Sequence, residues 1–342
     1  MQTEGIIISQ TPFRLSYFGG GTDFPGYFNE HGGMVIAAAI DKYLYVTINS
    51  LKRFYEKRIR LSYSQLEFVD HPEELSHSIV KAILTEHQFF SNENFLDMHT
   101  YADFPASSGM GSSSVFTVGF LQAFYALYGK FKTAEELATE AIYIEREKIK
   151  EAGGWQDQIT PAYGGLNCIR FNATGFTVEP ILLPFTLRRD FEAACVLFFT
   201  GGTRSSAEIQ QHSFNMAQVD KIKHLDTINQ QARQALEIFQ RASDSSTLIH
   251  ELGNLLNISW AAKRNLSQGV SNARIDAMYE TALKNGAIGG KLCGAGGDGF
   301  LLTLVDPKKK QKLIEAMTPF KYLDIQFDDV PSRIVYGHRR KV

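Results

Sequence analysis

The densest phosphate-binding chemistry in this sequence is the run Pro105-Ala106-Ser107-Ser108-Gly109-Met110-Gly111-Ser112-Ser113-Ser114. Small residues let a backbone approach phosphate oxygens closely, and the run leads into an apolar helical segment whose N-terminus would offer unpaired N–H groups and a favourable dipole. The serine hydroxyls can bind phosphate oxygens or a magnesium ion. No GxxxxGK[ST] accompanies the run, so it is not a Walker A loop. The alternative, less favoured even in isolation, is a Ser/Gly loop that merely caps a helix.

Two carboxylates follow. Asp157 sits in Gly153-Gly154-Trp155-Gln156-Asp157-Gln158, a small-residue turn expected just beyond a helix end. Glu145 lies twelve residues earlier, and at about 100° per residue it shares a face with Leu137, Ala138 and Ala141. A carboxylate beside an apolar face needs a partner, which a metal ion or Lys148 would supply. Upstream, Arg14 precedes Gly19-Gly20-Gly21-Thr22-Asp23. The arginine brings fixed positive charge suited to phosphoryl transfer, the glycines leave room for a ligand, and Asp23 can accept hydrogen bonds from hydroxyls. A glycine-rich turn with a surface ion pair is the plainer account.

Two further loops matter. Thr200-Gly201-Gly202-Thr203-Arg204-Ser205-Ser206 joins an expected strand (194–199) to a long helix, and it suits a bound phosphate or, more simply, a helix cap with a solvated arginine. Gly294-Ala295-Gly296-Gly297-Asp298-Gly299 matches G-x-G-x-x-G literally. A dinucleotide fingerprint needs a strand before and a helix after, whereas the order here reads as helix, loop, strand. These glycines suit close approach to a ligand or to another loop, or a tight turn.

The elements that must hold these residues are legible in outline. Residues 6–9, 44–49 and 95–101 carry β-branched and aromatic side chains and predict strands. Residues 112–128 are apolar almost all round, predicting a buried helix stopped at Gly129. Thr133 with Glu136 forms a capping box for a helix predicted to run to Gly153-Gly154. The second half predicts helices over 205–241, 246–268, 273–284 and 308–317, with strands at 300–305, 322–327 and 333–336. The shift from strand-rich to helix-rich sequence predicts two domains, 1–186 and 187–342.

Composition narrows the class. With 342 residues, 44% hydrophobic, 21% charged and a net charge of -2, the chain is an ordinary globular protein with no electrostatic reason to bind nucleic acid or membrane. The short basic clusters at 308–312 and 338–341 read as solvated faces. Three cysteines without a CxxC pair argue against a zinc site or disulfide framework. No signal peptide or membrane span is expected, and the expected setting is the cytoplasm.

Taken together, the early arginine motif, the central P-x-x-x-G-[LM]-G-S-S run and the late glycine loop resemble the GHMP kinases, from residue 8 to residue 305. Gly19-Gly20-Gly21-Thr22-Asp23, with Ile144-Glu145-Arg146 and Gly153 to Gln158, resembles the branch acting on heptose phosphates and fucose. The resemblance implies an α+β, two-domain fold: an N-terminal ATP-binding domain like domain 2 of ribosomal protein S5, and a ferredoxin-like C-terminal domain. It implies ATP and Mg2+ as cofactors and a small-molecule sugar or sugar phosphate as acceptor, foremost heptose 7-phosphate at its anomeric hydroxyl, with a free sugar as the alternative. Carried over by position, Asp157 would be the catalytic base and Arg14 its charge partner. Pro105 and Ser107 to Ser114 would hold ATP; Ser113, or its neighbour Ser112, and Glu145 would hold magnesium. Gly20, Gly21, Thr22, Asp23, Arg204, Gly294, Gly296 and Gly297 would face the substrate. Asp298 departs from the small residue usual in the third motif. A catalytically silent sugar sensor on the same fold would not need the base, and an NAD oxidoreductase has only the Gly294 loop in its favour.

Overall fold

Two long antiparallel strands, β1 (Thr3–Phe18) and β2 (Gly33–Lys52), form the spine on which the site is built. They belong to a computed structural model that describes residues 3–52, 56–87, 94–105, 109–201, 218–267 and 269–341. The expected strands at 6–9 and 44–49 are only the most β-branched parts of them. The stretch Val35 to Ile40 in β2 is completely buried. Helices α3 (Ser112–Leu127), α5 (Gln156–Tyr163) and α7 (Gln218–Arg241) all pack against β2, and its first half shows no polar alternation, whereas Leu44 to Ser50 alternate between buried and part-exposed residues.

The first sheet runs β12-β1-β2-β5-β3-β4, where β3 is Ile59–Ser62, β4 Leu66–Val69, β5 Asn94–Ala102 and β12 Arg333–Lys341; β6 (Leu166–Asn172) pairs with β2, and β7 (Gly175–Pro180) with β6. The second sheet runs β11-β8-β10-β9, from Tyr322–Leu323, Cys195–Phe199, Phe300–Val305 and Ala287–Leu292. Its strands use both faces. Cys195, Leu197, Leu302 and Leu304 join the main core, while Val196, Phe198, Leu301 and Val305 join a second core with Trp260 and Met278. Helix α6 (Phe185–Ala194) bridges the two sheets in sequence; α8 (Ser245–Arg264) and α9 (Ala273–Lys284) lie on the second.

Several expectations change. The last strand, β12, pairs with β1, so the end of the expected C-terminal domain completes the N-terminal sheet. The glycine loop at 294–299 follows β9 and precedes β10, which makes it the turn of an antiparallel hairpin, not a helix-loop-strand connection. The strand expected at 322–327 shrinks to two residues plus an isolated bridge between Ile40 and Phe327. The helix begun by the Thr133 capping box, α4 (Ala134–Ile142), passes into a π-helical segment at Tyr143–Lys148. Residues 202–217 lie outside the described residues, so the start of the helix expected from 205 does too.

Candidate active site

The loop entering α3 makes its final approach through Gly109 and Gly111, both with positive φ (77° and 75°). A side chain on Gly109 would meet the Cys293 carbonyl oxygen at 2.9 Å, and one on Gly294 would meet the Gly109 Cα at 2.6 Å. The end of the serine loop therefore lies directly against the β9–β10 turn. Ala106, Ser107 and Ser108 lie outside the described residues. Pro105 is exposed and Met110 is fully buried in the core, whereas Gly109, Gly111, Ser112, Ser113 and Ser114 line a cavity of about 1360 Å³.

Arg14 joins this loop to the acid. Its Nε donates to Asp157 Oδ1 at 2.7 Å, its Nη2 to Asp157 Oδ2 at 2.8 Å and its Nη1 to the Gly109 carbonyl at 2.9 Å. Asp157 lies in the first turn of α5, where the helix dipole favours a carboxylate; the expected turn beyond a helix end is thus a helix start. Burial alone would push this carboxyl up, but the adjacent guanidinium and its two hydrogen bonds outweigh that and hold it below the usual carboxylate range. Burial opposes the charge on Arg14, and Asp157 more than restores it. The pair leaves Asp157 ionised and about a quarter open to the cavity, with 28% of its side chain exposed.

Asp23 is almost wholly buried and accepts from the Gly21 N–H at 2.9 Å and the Gln156 N–H at 3.1 Å. It thereby caps α5 from the turn that follows β1, because no side chain caps that helix locally. Burial and the charge of Asp157 raise its pKa. Any side chain on Gly154 would collide with the Asp23 carboxylate. Gly20, Gly21 and Asp23 line the cavity. Thr22 does not: its hydroxyl is tied to Gly19 and Met34.

Glu145 is turned inward by the π-helical segment, which adds one residue to the turn; such segments recur at functional sites. Its Oε2 accepts from the Ser114 hydroxyl and from Gln158 Nε2, each at 3.0 Å, while its Oε1 is buried without a partner. Burial pushes its pKa up to about 7, against the opposing charge of Arg146. The expected companion hydroxyl, that of Ser113, donates instead to Glu151 at 3.2 Å. Lys148 pairs with Glu86, so it does not neutralise Glu145. The nearby cation is Arg146, 3.7 Å away, which also donates to the carbonyls of Glu151 and Gly154. A hard-oxygen set with one unsatisfied buried carboxylate oxygen fits a magnesium ion.

From the third motif Gly294 and Ala295 reach the cavity wall, while Gly296 and Gly297 do not line it. Gly296 packs on the Val270 backbone and Gly297 donates to the Val270 carbonyl, so both anchor the turn. Arg204 lies outside the described residues. Sequence reasoning missed Arg146, Gln158, Lys263 and Lys291. The lysines carry no local signal, since each becomes part of the site only when α8 and β9 fold back over β1. It also missed His77, which stacks on Phe116 at 4.4 Å and lines the cavity beside Tyr63.

Family comparison matches this arrangement. The chain fits the GHMP kinases N terminal domain over residues 75–165 and the GHMP kinases C terminal domain over residues 245–322. A D-glycero-alpha-D-manno-heptose 7-phosphate kinase of Campylobacter jejuni subsp. jejuni serotype O:2 is 35% identical over 91% of this chain and 93% of that protein. This chain is a GHMP kinase. Other relatives of this GHMP kinase include the L-fucokinase/L-fucose-1-P guanylyltransferase of Bacteroides fragilis, 25% identical over 92% of this chain and 36% of that longer protein. A crystal structure of a D-glycero-D-manno-heptose 1-phosphate kinase from Bacteroides thetaiotaomicron superposes with a TM-score of 0.73 over 98% of this chain and 99% of that one; at 23% identity it speaks for the fold. As a GHMP kinase the chain is a phosphotransferase with the expected α+β architecture. Among the described residues no helix is long and apolar enough to cross a membrane.

Proposed function

We propose that this kinase transfers the terminal phosphoryl group of ATP to the anomeric hydroxyl of D-glycero-D-manno-heptose 7-phosphate, giving the 1,7-bisphosphate. The observation that carries the reading is the Asp157 carboxylate, held ionised by Arg14 and open to a cavity bounded by the serine loop. The 35% identity to a heptose 7-phosphate kinase along nearly the whole chain favours this acceptor.

In this reading Asp157 takes the proton of the acceptor hydroxyl as that oxygen bonds to the terminal phosphorus. The bond from phosphorus to the bridging oxygen breaks, and ADP leaves with that electron pair. Arg14 keeps the base ionised and, through the Gly109 carbonyl, holds the loop in register with it. The serine loop binds the phosphates of ATP with hydroxyls and N–H groups of α3. Asp23 fixes the start of α5 and offers its remaining lone pairs to sugar hydroxyls. Glu145, with the hydroxyls of Ser113 or its neighbours, would hold Mg2+. When bound, that ion offsets the charge of the phosphate oxygens.

ADP release measured across heptose 7-phosphate, free heptose, fucose, galactose and mannose tests the proposal. Fastest turnover on heptose 7-phosphate is expected. Preference for fucose or galactose would reassign the acceptor, and binding without turnover of any sugar would make the chain a sensor.

A further inference from the structure

Two lysines line the same cavity as the serine loop, and among the described residues neither has a carboxylate partner. Lys263, on α8, donates to the Leu292 carbonyl at 3.0 Å and the Gly294 carbonyl at 2.5 Å. Lys291, on β9, donates to the carbonyls of Ser16 at 2.9 Å and Tyr17 at 3.0 Å, crossing from the second sheet to β1. Both line the cavity that Arg14, Asp157 and Ser112 to Ser114 also line. An ammonium group has three N–H donors, and each lysine uses two on fixed main-chain carbonyls. The carbonyls aim the groups without neutralising them.

Burying a cation without an anion is costly, and these two also repel one another. Burial, the largest cause, lowers Lys263 to about 7, with Lys291 adding to the effect; burial lowers Lys291 to about 8. A dianion between them would remove both penalties. Besides Cys293, which acts on both lysines, the groups acting on the pair are those at the centre of the site: Arg14 on both, Asp157 on Lys263 and Asp23 on Lys291.

We infer that Lys263 and Lys291 form a second phosphate-binding element, in the same cavity as the serine loop, that holds the phosphoryl group undergoing transfer. This rests on the phosphotransferase reading above. It assigns to the second sheet a direct part in the chemistry: its lysines are preorganised cations placed where negative charge accumulates between donor and acceptor. The phosphate already on the acceptor is less well matched, because it is remote from the hydroxyl that meets Asp157.

The test uses the full chain with inorganic phosphate as the probe. Trace acetylation of wild-type protein, read residue by residue by mass spectrometry, should show Lys263 and Lys291 protected several-fold by phosphate while exposed lysines are not. Lys263→Gln keeps a donor for the carbonyls and removes the charge, so a purely structural lysine would tolerate it. Here it should weaken phosphate binding in calorimetry by roughly 10- to 150-fold, the range for one hydrogen bond to a charged group, and lower kcat with little change in the acceptor KM. Lys263→Arg should recover part of both losses. Equal loss of kcat on heptose 7-phosphate and on free heptose supports the transferring group as occupant; loss confined to heptose 7-phosphate would overturn that assignment. Unchanged phosphate affinity in Lys263→Gln, or no protection of either lysine, would overturn the site altogether. If phosphate binding depends on Lys263 while the wild type turns over no sugar, the site stands and the kinase reading falls.

Discussion

Replacing Asp157 with asparagine separates the two duties of that carboxylate. In the native protein it accepts two hydrogen bonds from an arginine whose side chain is 4% exposed, at 2.7 and 2.8 Å. Asp157→Asn deletes the charge and turns an amide donor toward a guanidinium that can only donate. Breaking a fully buried ion pair costs about 3–5 kcal/mol, but the carboxylate here is 28% exposed, which reduces the loss to about 2 kcal/mol. The catalytic loss should be larger, about 10²–10⁴-fold in kcat, the usual contribution of a general base. ATP affinity should barely change, because the serine loop remains intact. The assays are urea denaturation, steady-state ADP release and nucleotide titration, with Arg14→Met and the double variant completing the cycle. Since the folded pKa is depressed, the pair's stabilisation is present above the unfolded value of about 3.8 and is lost as pH falls through the lower folded value; Asp157→Asn should abolish that acid dependence. Near-normal kcat would remove Asp157 from the chemistry. Unchanged stability at neutral pH would refute the claim that its pair with Arg14 is shielded from water.

Glu145 has the opposite sign: its raised pKa makes the metal-free protein lose stability as pH rises from the unfolded value of about 4.5 to about 7. Glu145→Gln should therefore be on the order of 2 kcal/mol more stable than wild type at pH ~8 in chelator and about equal at pH ~5. A similar deficit at both pH values would contradict this, and the variant should also need more magnesium for half-maximal activity. Gly154→Ala should force the new methyl into the Asp23 carboxylate and displace the start of α5, lowering kcat about 10²-fold with the fold retained by circular dichroism; unaltered kcat would show that the turn yields freely. Arg204→Ala should reduce kcat/KM on heptose 7-phosphate about 10- to 150-fold and spare a free sugar. Equal losses on both acceptors would exclude a contact with the sugar's phosphate.

The sequence by itself determined the parts whose signals are local. The serine run, the Gly19 to Asp23 turn and the hairpin glycines each need special backbone geometry that only certain residues permit, so their chemistry could be read in order along the chain. The apolar helix at 112–128 was equally clear, because burial on every side leaves no polar stripe. The spine strand β2 was half hidden: alanines 37 to 39 are poor strand formers, and they lie in a strand because helices cover it.

Tertiary structure alone decided the charges. Asp157, Glu145 and Asp23 were visible as acids, yet only packing shows that one is held ionised by Arg14, one pushed toward neutrality by burial, and one tied up capping a helix 133 residues away. It also gave Glu145 the hydroxyl of Ser114 in place of that of Ser113, and drew Lys263 and Lys291 in from the far half of the chain. The physical reason is the reach of the interactions: backbone geometry is dictated by neighbours in sequence, whereas desolvation and charge pairing depend on whatever the fold brings within a few ångströms.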